Sequence, residues 1–192
     1  MQTNLLWTGR EYHSLENCLV NTTGQGSEIT SVIIGAYQGV IYRVDYRILT
    51  NQKWETTFFE IRSQHSNLKD HVIFEKDRNG NWLRDGYVAP AFKECFDIDI
   101  PLTPFTNTLP INRLQLNPGG GQEINVIYVD VLHRTMEPVK QKYIRLTDRL
   151  YRYENVPNDF QAEIEADEHG FVVDYPQLFV RTAKLAASYS QE

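Results

Sequence analysis

The sequence predicts a mainly β fold: a large curved antiparallel sheet, or a barrel-like single domain, spanning residues 1–192 and carrying one or two short helices. Apolar and polar residues alternate with period two along much of the chain, which is typical of half-buried strands. Turn signals rich in Asn, Asp, Gly and Pro separate these runs at the spacing of antiparallel hairpins. Segments with helical periodicity are few and short, so strands dominate the prediction.

The clearest strand is VIYRVDYRIL (40–49). Its alternation places Tyr42 and Tyr46 on one face and Arg43 and Asp45 on the other. One face of this strand is therefore expected to be buried and the other polar. Further strands with related patterns are predicted at 15–22, 28–36, 53–63, 71–76, 81–83, 95–100, 123–134, 139–147, 150–154, 159–166 and 171–174.

Turns and helices complete the pattern. Asn79-Gly80 is a strong hairpin signal and is expected to join the runs on either side of it. One helix is predicted at 109–116, with Pro110 in its first position, where a missing N–H does no harm. A second is predicted at 176–188.

Composition excludes several classes of protein. The net charge is −6 and the chain has no basic run, which argues against nucleic acid and against an anionic membrane surface as partners. No apolar stretch is long enough to span a membrane, and no signal peptide is recognised. The two cysteines, Cys18 and Cys95, are interpreted as reduced, buried thiols. The expected location is the cytoplasm.

No cofactor or metal site is predicted. The chain has no phosphate-binding loop of the Gly-x-x-x-x-Gly-Lys type. Its five histidines are scattered, and none pair at the spacing of metal ligands.

The stretch CFDIDIPLTPFTNTLPI (95–111) contains the most distinctive polar pattern. Asp97 and Asp99 share one face of a strand, and a turn follows that includes Thr106 and Asn107. Three interpretations stay open. The carboxylates face solvent and brace the turn, they contact a polar ligand in a cavity, or they form an acid–base pair acting on a glycoside.

Other candidates lie outside this stretch. Arg43 belongs to the polar face of its strand, which is either solvated or lines a cavity with polar contacts. Trp54 is either a core residue or a stacking platform for a sugar or an acyl chain. Gln141 and Tyr143 belong to a Tyr-rich set on the late strands. Glu16 is a candidate partner for the aspartates.

Several motifs together resemble a known family. The strongest is Cys95, Asp97 and Asp99 followed by TPFTNTLPINRL (103–114). The weaker motifs, in order, are Trp7, Glu16 in LENC, IYRVDYRI followed by Trp54, GNWLRDG (80–86), QKY (141–143), YRY (151–153) and DEHGFVVDYP (167–176). On these residues the sequence resembles the bacterial putative glycolipid-binding family. The resemblance implies a single β-rich domain, similar to the curved sheets with which bacterial lipoprotein carriers hold lipid.

The first functional hypothesis is a non-enzymatic protein that binds a glycolipid or other amphiphile against the concave face of its sheet. Aromatic side chains would line the cavity, and polar groups of the motif would bond sugar hydroxyls at its mouth. The predicted ligand-binding residues are Asp97, Asp99, Thr106, Asn107, Trp54, Tyr42, Tyr46, Arg43, Glu16, Gln141 and Tyr143.

Two alternatives are retained. In one, the protein is a structural or interaction domain without a small-molecule site. In the other, it is an enzyme acting on a glycoside, with Asp97 or Asp99 as the acid and Glu16 or Asp45 as its partner. No catalytic residue is assigned. A homodimer is also predicted, because long strands such as 123–134 at the edge of a sheet can pair with the same strand of a second copy across a two-fold axis.

Overall fold

One sheet of fifteen strands and a single α-helix make up most of the computed structural model, which describes residues 1–187. A short 3-10 helix, Pro90–Phe92, precedes the ninth strand. In chain order the elements are β1 (Gln2–Gly9), β2 (Ser14–Thr23), β3 (Gly26–Tyr37), β4 (Val40–Thr50), β5 (Thr56–His65), β6 (Leu68–Lys76), β7 (Trp82–Arg84), β8 (Tyr87–Val88), β9 (Asp97–Asp99), α1 (Phe105–Leu114), β10 (Gly121–Asp130), β11 (Thr135–Arg145), β12 (Leu150–Val156), β13 (Gln161–Ala166), β14 (Val172–Tyr175) and β15 (Phe179–Ala187).

The strand order is simple. From one edge, β8 to β1 follow each other in reverse chain order, then β15 to β9 do the same. Neighbours are antiparallel except β9 and β10, which are parallel. Because β8 and β9 are the two edges of this linear order, the sheet does not close into a barrel. The prediction of a large antiparallel sheet is confirmed, and the barrel-like alternative is wrong.

Local patterns predicted the hairpins well. In β4, Tyr42, Val44 and Tyr46 are buried while Arg43 is exposed, as the alternation predicted. The hairpin at Asn79-Gly80 joins β6 to β7, with Gly80 at φ +80°, in the left-handed region that glycine adopts without steric cost.

The two ends of the described chain were not predicted correctly. β1 was not predicted, although Thr3, Leu5 and Trp7 are buried in alternation with their neighbours. The helix predicted at 176–188 is wrong over its described part: 179–187 form β15, which pairs with β1. Its Leu-, Ala- and Lys-rich sequence favours helix locally, but pairing with a distant strand overrides that weak preference. Ser188 lies outside the described residues.

The helix of the motif begins earlier than predicted. α1 starts at Phe105, four residues before the predicted start, so Pro110 lies in its interior. The Thr103 hydroxyl accepts the backbone N–H of Phe105 at 3.0 Å and so caps a donor that the first turn leaves free. Phe105 and Leu109 lie one turn apart on the same face of the helix, and both are fully buried, so packing favours a helix that begins at Phe105.

The sheet folds over so that its two halves share one core. Phe59 and Phe74 of the first half belong to the same buried cluster as Ile98 and Ile127 of the second. A second cluster lies between the late strands. α1 contributes to both, and Tyr12 packs against both. The boundary between the two clusters, next to α1, is where the polar site forms.

Candidate functional site

A cavity of about 530 Å³ lies at this boundary. Its walls come from segments that are far apart in the chain: the loop after β1, the end of β9, the turn before α1, the first turn of α1, strands β10 to β12, the β12–β13 loop, and the β14–β15 turn. Because no single stretch supplies it, the cavity exists only once the two halves of the sheet have folded together.

The floor of the cavity is a buried polar network around Asp99. The Thr106 hydroxyl donates to Asp99 Oδ1 at 3.1 Å, and the Gln141 side-chain amide donates to Asp99 Oδ2 at 2.7 Å. Next to them, the Tyr143 hydroxyl donates to Asn107 Oδ1 at 2.8 Å. Asp99, Asn107 and Gln141 all line the cavity. Thr106 and Gln141 therefore hold Asp99 in place, and Tyr143 holds Asn107, so that the three lining side chains are fixed beside the open space.

The sequence of the motif explains why these groups converge. β9 ends at Asp99, and the chain turns through Thr103 directly into α1. The first turn of α1 then faces back towards the strand. Thr106 Oγ1 accepts the backbone N–H of Ile100 at 3.4 Å, so its own proton is directed to Asp99. Strand, turn and helix thus form one short unit that positions the carboxylate.

Asp97, two residues before Asp99 on β9, has a different environment. Its side chain is fully buried and receives a forked pair of hydrogen bonds from Arg113, with Nη2 2.6 Å from Oδ2. This guanidinium fork neutralises Asp97 within the protein. The expectation that both aspartates face solvent or a cavity is wrong for Asp97, because α1 packs over that face of β9 and brings Arg113 to it.

Asp99 has no such cation among residues 1–187: its side-chain partners are the neutral Thr106 and Gln141. Burial raises the pKa of the Asp99 carboxyl, and the hydrogen bonds from Gln141 and Thr106 oppose that rise because they favour the charged form. The net result is a pKa above that of an ordinary aspartate, although each carboxylate oxygen accepts one hydrogen bond.

The remaining wall is aromatic. Tyr12 stacks on Phe179 with ring centroids 5.8 Å apart, and Tyr153 lies 6.4 Å from Tyr175. Burial raises the pKa of Tyr128 to about 12, so its hydroxyl stays neutral. The wall therefore offers ring faces together with neutral hydroxyls. The aromatic residues that line the cavity are Tyr12, Tyr128, Tyr153, Phe160, Tyr175 and Phe179.

A family model described as putative glycolipid-binding matches residues 4–181, nearly the whole chain. The protein belongs to this putative glycolipid-binding family. The resemblance carried by the sequence motifs is confirmed. A crystal structure of a DUF1089 family protein from Pseudomonas aeruginosa is similar to the chain, with a TM-score of 0.76 and 32% sequence identity over 86% of this chain and 91% of that one. No curated protein matches the chain.

A second buried polar group lies behind the cavity wall. Glu16 is 2% exposed, and its Oε1 accepts hydrogen bonds from the Tyr46 and Ser31 hydroxyls, both at 2.7 Å. Tyr46 also lies 3.4 Å from the hydroxyl of Thr103, which lines the cavity. Burial raises the pKa of Glu16 to about 7, against the opposing effect of these hydrogen bonds.

The family motif residues thus separate into groups. Of the residues predicted as ligand-binding, Asp99, Asn107 and Gln141 line the cavity. Thr106 and Tyr143 do not line it but donate hydrogen bonds to Asp99 and Asn107. The predicted residues Glu16 and Tyr46 form the network behind it.

The other predicted residues lie elsewhere. Arg43 is exposed and pairs with Asp45 at 2.7 Å on the outer face of β4. Asp45, considered above as a partner in an enzyme, does not line the cavity. Tyr42 is buried, and its hydroxyl donates to the Tyr12 carbonyl at 3.3 Å. Trp54 is half-buried in the loop before β5, with φ +63°, rather than on a strand.

Sequence reasoning missed most of the aromatic wall. It did include the motif YRY (151–153), whose Tyr153 lines the cavity. Tyr12, Tyr175 and Phe179 were missed because they lie near the two ends of the chain, where the pairing of β1 with β15 was not foreseen.

Two further findings concern residues 1–187. None of the helices there is long and apolar enough to cross a membrane. Across the same residues, His, Cys, Asp and Glu side chains do not gather in groups of three or more that would hold a metal ion.

Proposed function

We propose that this protein is a non-enzymatic binding protein for a glycolipid or similar amphiphile, whose sugar head group enters the cavity beside Asp99. The observation that carries the proposal is a cavity of about 530 Å³ that combines a buried polar floor with an aromatic wall. This volume falls within the range of ordinary small-molecule sites, roughly 300 to 1,000 Å³. The description of the family names the same class of ligand.

The polar floor suits sugar hydroxyls, each of which both donates and accepts hydrogen bonds. Asp99 supplies acceptor lone pairs, while the side-chain amides of Gln141 and Asn107 each contain both a donor and an acceptor group. Gln141 is 2% exposed and Asn107 6% exposed, and both are held by neighbours within the protein. Groups held in place before binding lose little freedom on binding, which favours affinity.

The apolar part of the wall suits the rest of an amphiphile. Val139, Val156 and Leu178 line the cavity beside the tyrosines. Phe160, also in the wall, is 41% exposed. Covering a large apolar side chain of this kind lowers the free energy, because apolar surface is removed from water. An acyl chain lying across Phe160 would cover it, while the C–H faces of a sugar ring pack on the tyrosine rings.

Calorimetric titration with matched probes tests the proposal. The probes are an alkyl β-glucoside, the alcohol with the same alkyl chain, and free glucose, all below the concentration at which they form micelles. We expect the glucoside to bind more tightly than either part alone, because it uses both the polar floor and the apolar wall. Gln141→Met should weaken glucoside binding by about tenfold, because methionine has a similar shape but cannot make the polar contacts of the glutamine amide.

The control makes the same change at an exposed position. Gln64 lies on β5 with an exposed side chain, so Gln64→Met should leave glucoside binding unchanged. Native mass spectrometry of the purified protein should show a bound amphiphile. If no probe binds and the protein carries no amphiphile, the binding function fails and a structural role is favoured.

A further inference from the structure

We infer that the cavity selects head groups that carry a positive charge, such as the ammonium of an amino sugar, and rejects anionic head groups. This inference rests on the proposed binding function and specifies its ligand class. It is carried by the contrast between Asp97 and Asp99, by the charge of the cavity wall and by the tyrosine rings that face the same space.

The contrast between the two aspartates is direct. They lie two residues apart on β9: Asp97 is fully buried, whereas Asp99 is half-buried where it lines the cavity. Asp97 has a guanidinium within the protein, whereas within residues 1–187 Asp99 is bonded by neutral side chains alone. An ionised carboxylate that is partly removed from water and has no counter-charge is less stable than one in bulk water. A ligand ammonium in the cavity would supply that charge.

The remaining lone pairs of Asp99 are available to a ligand. A carboxylate has about four acceptor sites. Thr106 occupies one on Oδ1 and Gln141 one on Oδ2. Since Asp99 lines the cavity, a donor entering it can reach the oxygens that these two side chains leave accessible. An ammonium carries three donors and no acceptor, so it matches this site better than a neutral hydroxyl.

The charge of the wall favours the same ligand. Besides Asp99, the carboxylates of Glu11, Glu137 and Asp159 line the cavity, and Lys140 is the one basic side chain among its lining residues. Four carboxylates and one ammonium leave a formal charge of −3 around the space. Carboxylates concentrated in a cleft attract cations and repel anions.

The aromatic wall adds a third contribution. Tyr128, Tyr153 and Tyr175 line the cavity together with Asp99. The negative face of an aromatic ring attracts a cation within about 6 Å of its centre. Tyrosine rings beside a carboxylate thus form a pocket that stabilises an ammonium and offers nothing comparable to a sulfate or phosphate.

Titration with three amphiphiles of the same alkyl chain tests the inference. They are a neutral β-glucoside, the corresponding 2-amino-2-deoxy-glucoside in its ammonium form, and an alkyl sulfate. We expect the amino sugar to bind at least about tenfold more tightly than the glucoside, and the sulfate to bind most weakly. In Asp99→Asn, the ratio between amino sugar and glucoside affinity should fall to about one. Asp45→Asn, on the outer surface, should keep the wild-type ratio.

The outcomes separate the two proposals. Equal affinity for the amino sugar and the glucoside in the wild type overturns the charge inference but leaves the binding function standing. A preference that survives in Asp99→Asn also overturns it. Absence of binding for all three probes overturns the binding function itself. If Asp99→Asn does not fold, as judged by its circular dichroism, Glu137→Gln at an exposed wall position replaces it and should reduce the preference by about twofold.

Discussion

Replacing Glu16 with glutamine should remove much of the dependence of stability on pH between about 4.5 and about 7. Glu16 is 2% exposed, and its Oε2 has no hydrogen-bond partner among the described residues. The hydroxyls of Tyr46 and Ser31 both donate to Oε1. Two neutral donors on one oxygen do not compensate for the loss of water, so the folded protein favours the protonated carboxyl.

The magnitude follows from the pKa. Burial raises the pKa of Glu16 from 4.5 to about 7 in the folded protein. Because the folded state binds this proton more tightly than the unfolded state, the contribution to stability is fully present below pH 4.5 and is lost as the pH rises through about 7. At about 1.4 kcal/mol for each pKa unit, the loss amounts to about 3 kcal/mol.

The assay is chemical denaturation of the wild type and of Glu16→Gln from about pH 4 to about pH 8. The glutamine amide oxygen accepts the same two hydrogen bonds and carries no charge at any pH. The free energy of unfolding of the variant, relative to the wild type, should therefore increase by about 3 kcal/mol across this range. Glu123→Gln, an exposed position on β10, serves as control and should follow the wild type. Parallel curves for the wild type and Glu16→Gln would refute the reasoning.

Three further substitutions should lower the free energy of unfolding for separate reasons. Arg113→Ala leaves the fully buried Asp97 carboxylate unpaired and should cost about 3 to 5 kcal/mol at neutral pH. Trp82→Phe removes the indole donor that lies 2.9 Å from the Cys95 carbonyl and should cost about 2 to 3 kcal/mol. Gly26→Ala, at φ +137°, places a methyl group 2.0 Å from a backbone oxygen of β4 and should cost more than about 2 kcal/mol. Urea denaturation measures all three.

Matched controls for these substitutions lie at less constrained positions. Arg43→Ala breaks an exposed ion pair and should change stability by less than about 1 kcal/mol. Gly24→Ala has open space around the added methyl group. Trp54→Phe changes a half-buried loop residue. A control that destabilises the protein as much as its buried counterpart would contradict the assignment of the effect to burial.

The parts of the fold that local pattern specifies were predictable from the sequence. The alternation of β4 and the Asn79-Gly80 turn depend on neighbouring residues, and both appear in the structure as predicted. β15 was not predictable in this way. Its residues favour helix, and its strand conformation depends on pairing with β1 at the other end of the sheet.

The candidate site follows the same division. The motif around Asp99 identified the floor of the cavity because strand, turn and helix are contiguous in sequence. The environment of Asp97 could not be read from the alternation. The period-two pattern shows which residues share a face of the strand, but it does not show that α1 packs over that face and brings Arg113 to it. The aromatic wall was hidden for a similar reason, since Tyr12 and Phe179 meet through pairing across the whole chain.

The difference between Asp97 and Asp99 is best explained by function rather than by folding alone. Both carboxylates are covered by the same helix, and that helix supplies a guanidinium to one of them. If the β9–α1 unit served only to brace a corner, pairing Asp97 with Arg113 and the hydrogen bonds of Thr103 would already hold it. Asp99 does join β9 to α1 through Thr106, but a neutral amide oxygen would accept that hydrogen bond without the cost of a carboxylate that has no cation among residues 1–187. A half-buried carboxylate without a counter-charge beside a cavity is the feature that we assign to ligand binding. On this argument, a bound cation should raise the stability of the protein, with a larger gain in the wild type than in Asp99→Asn.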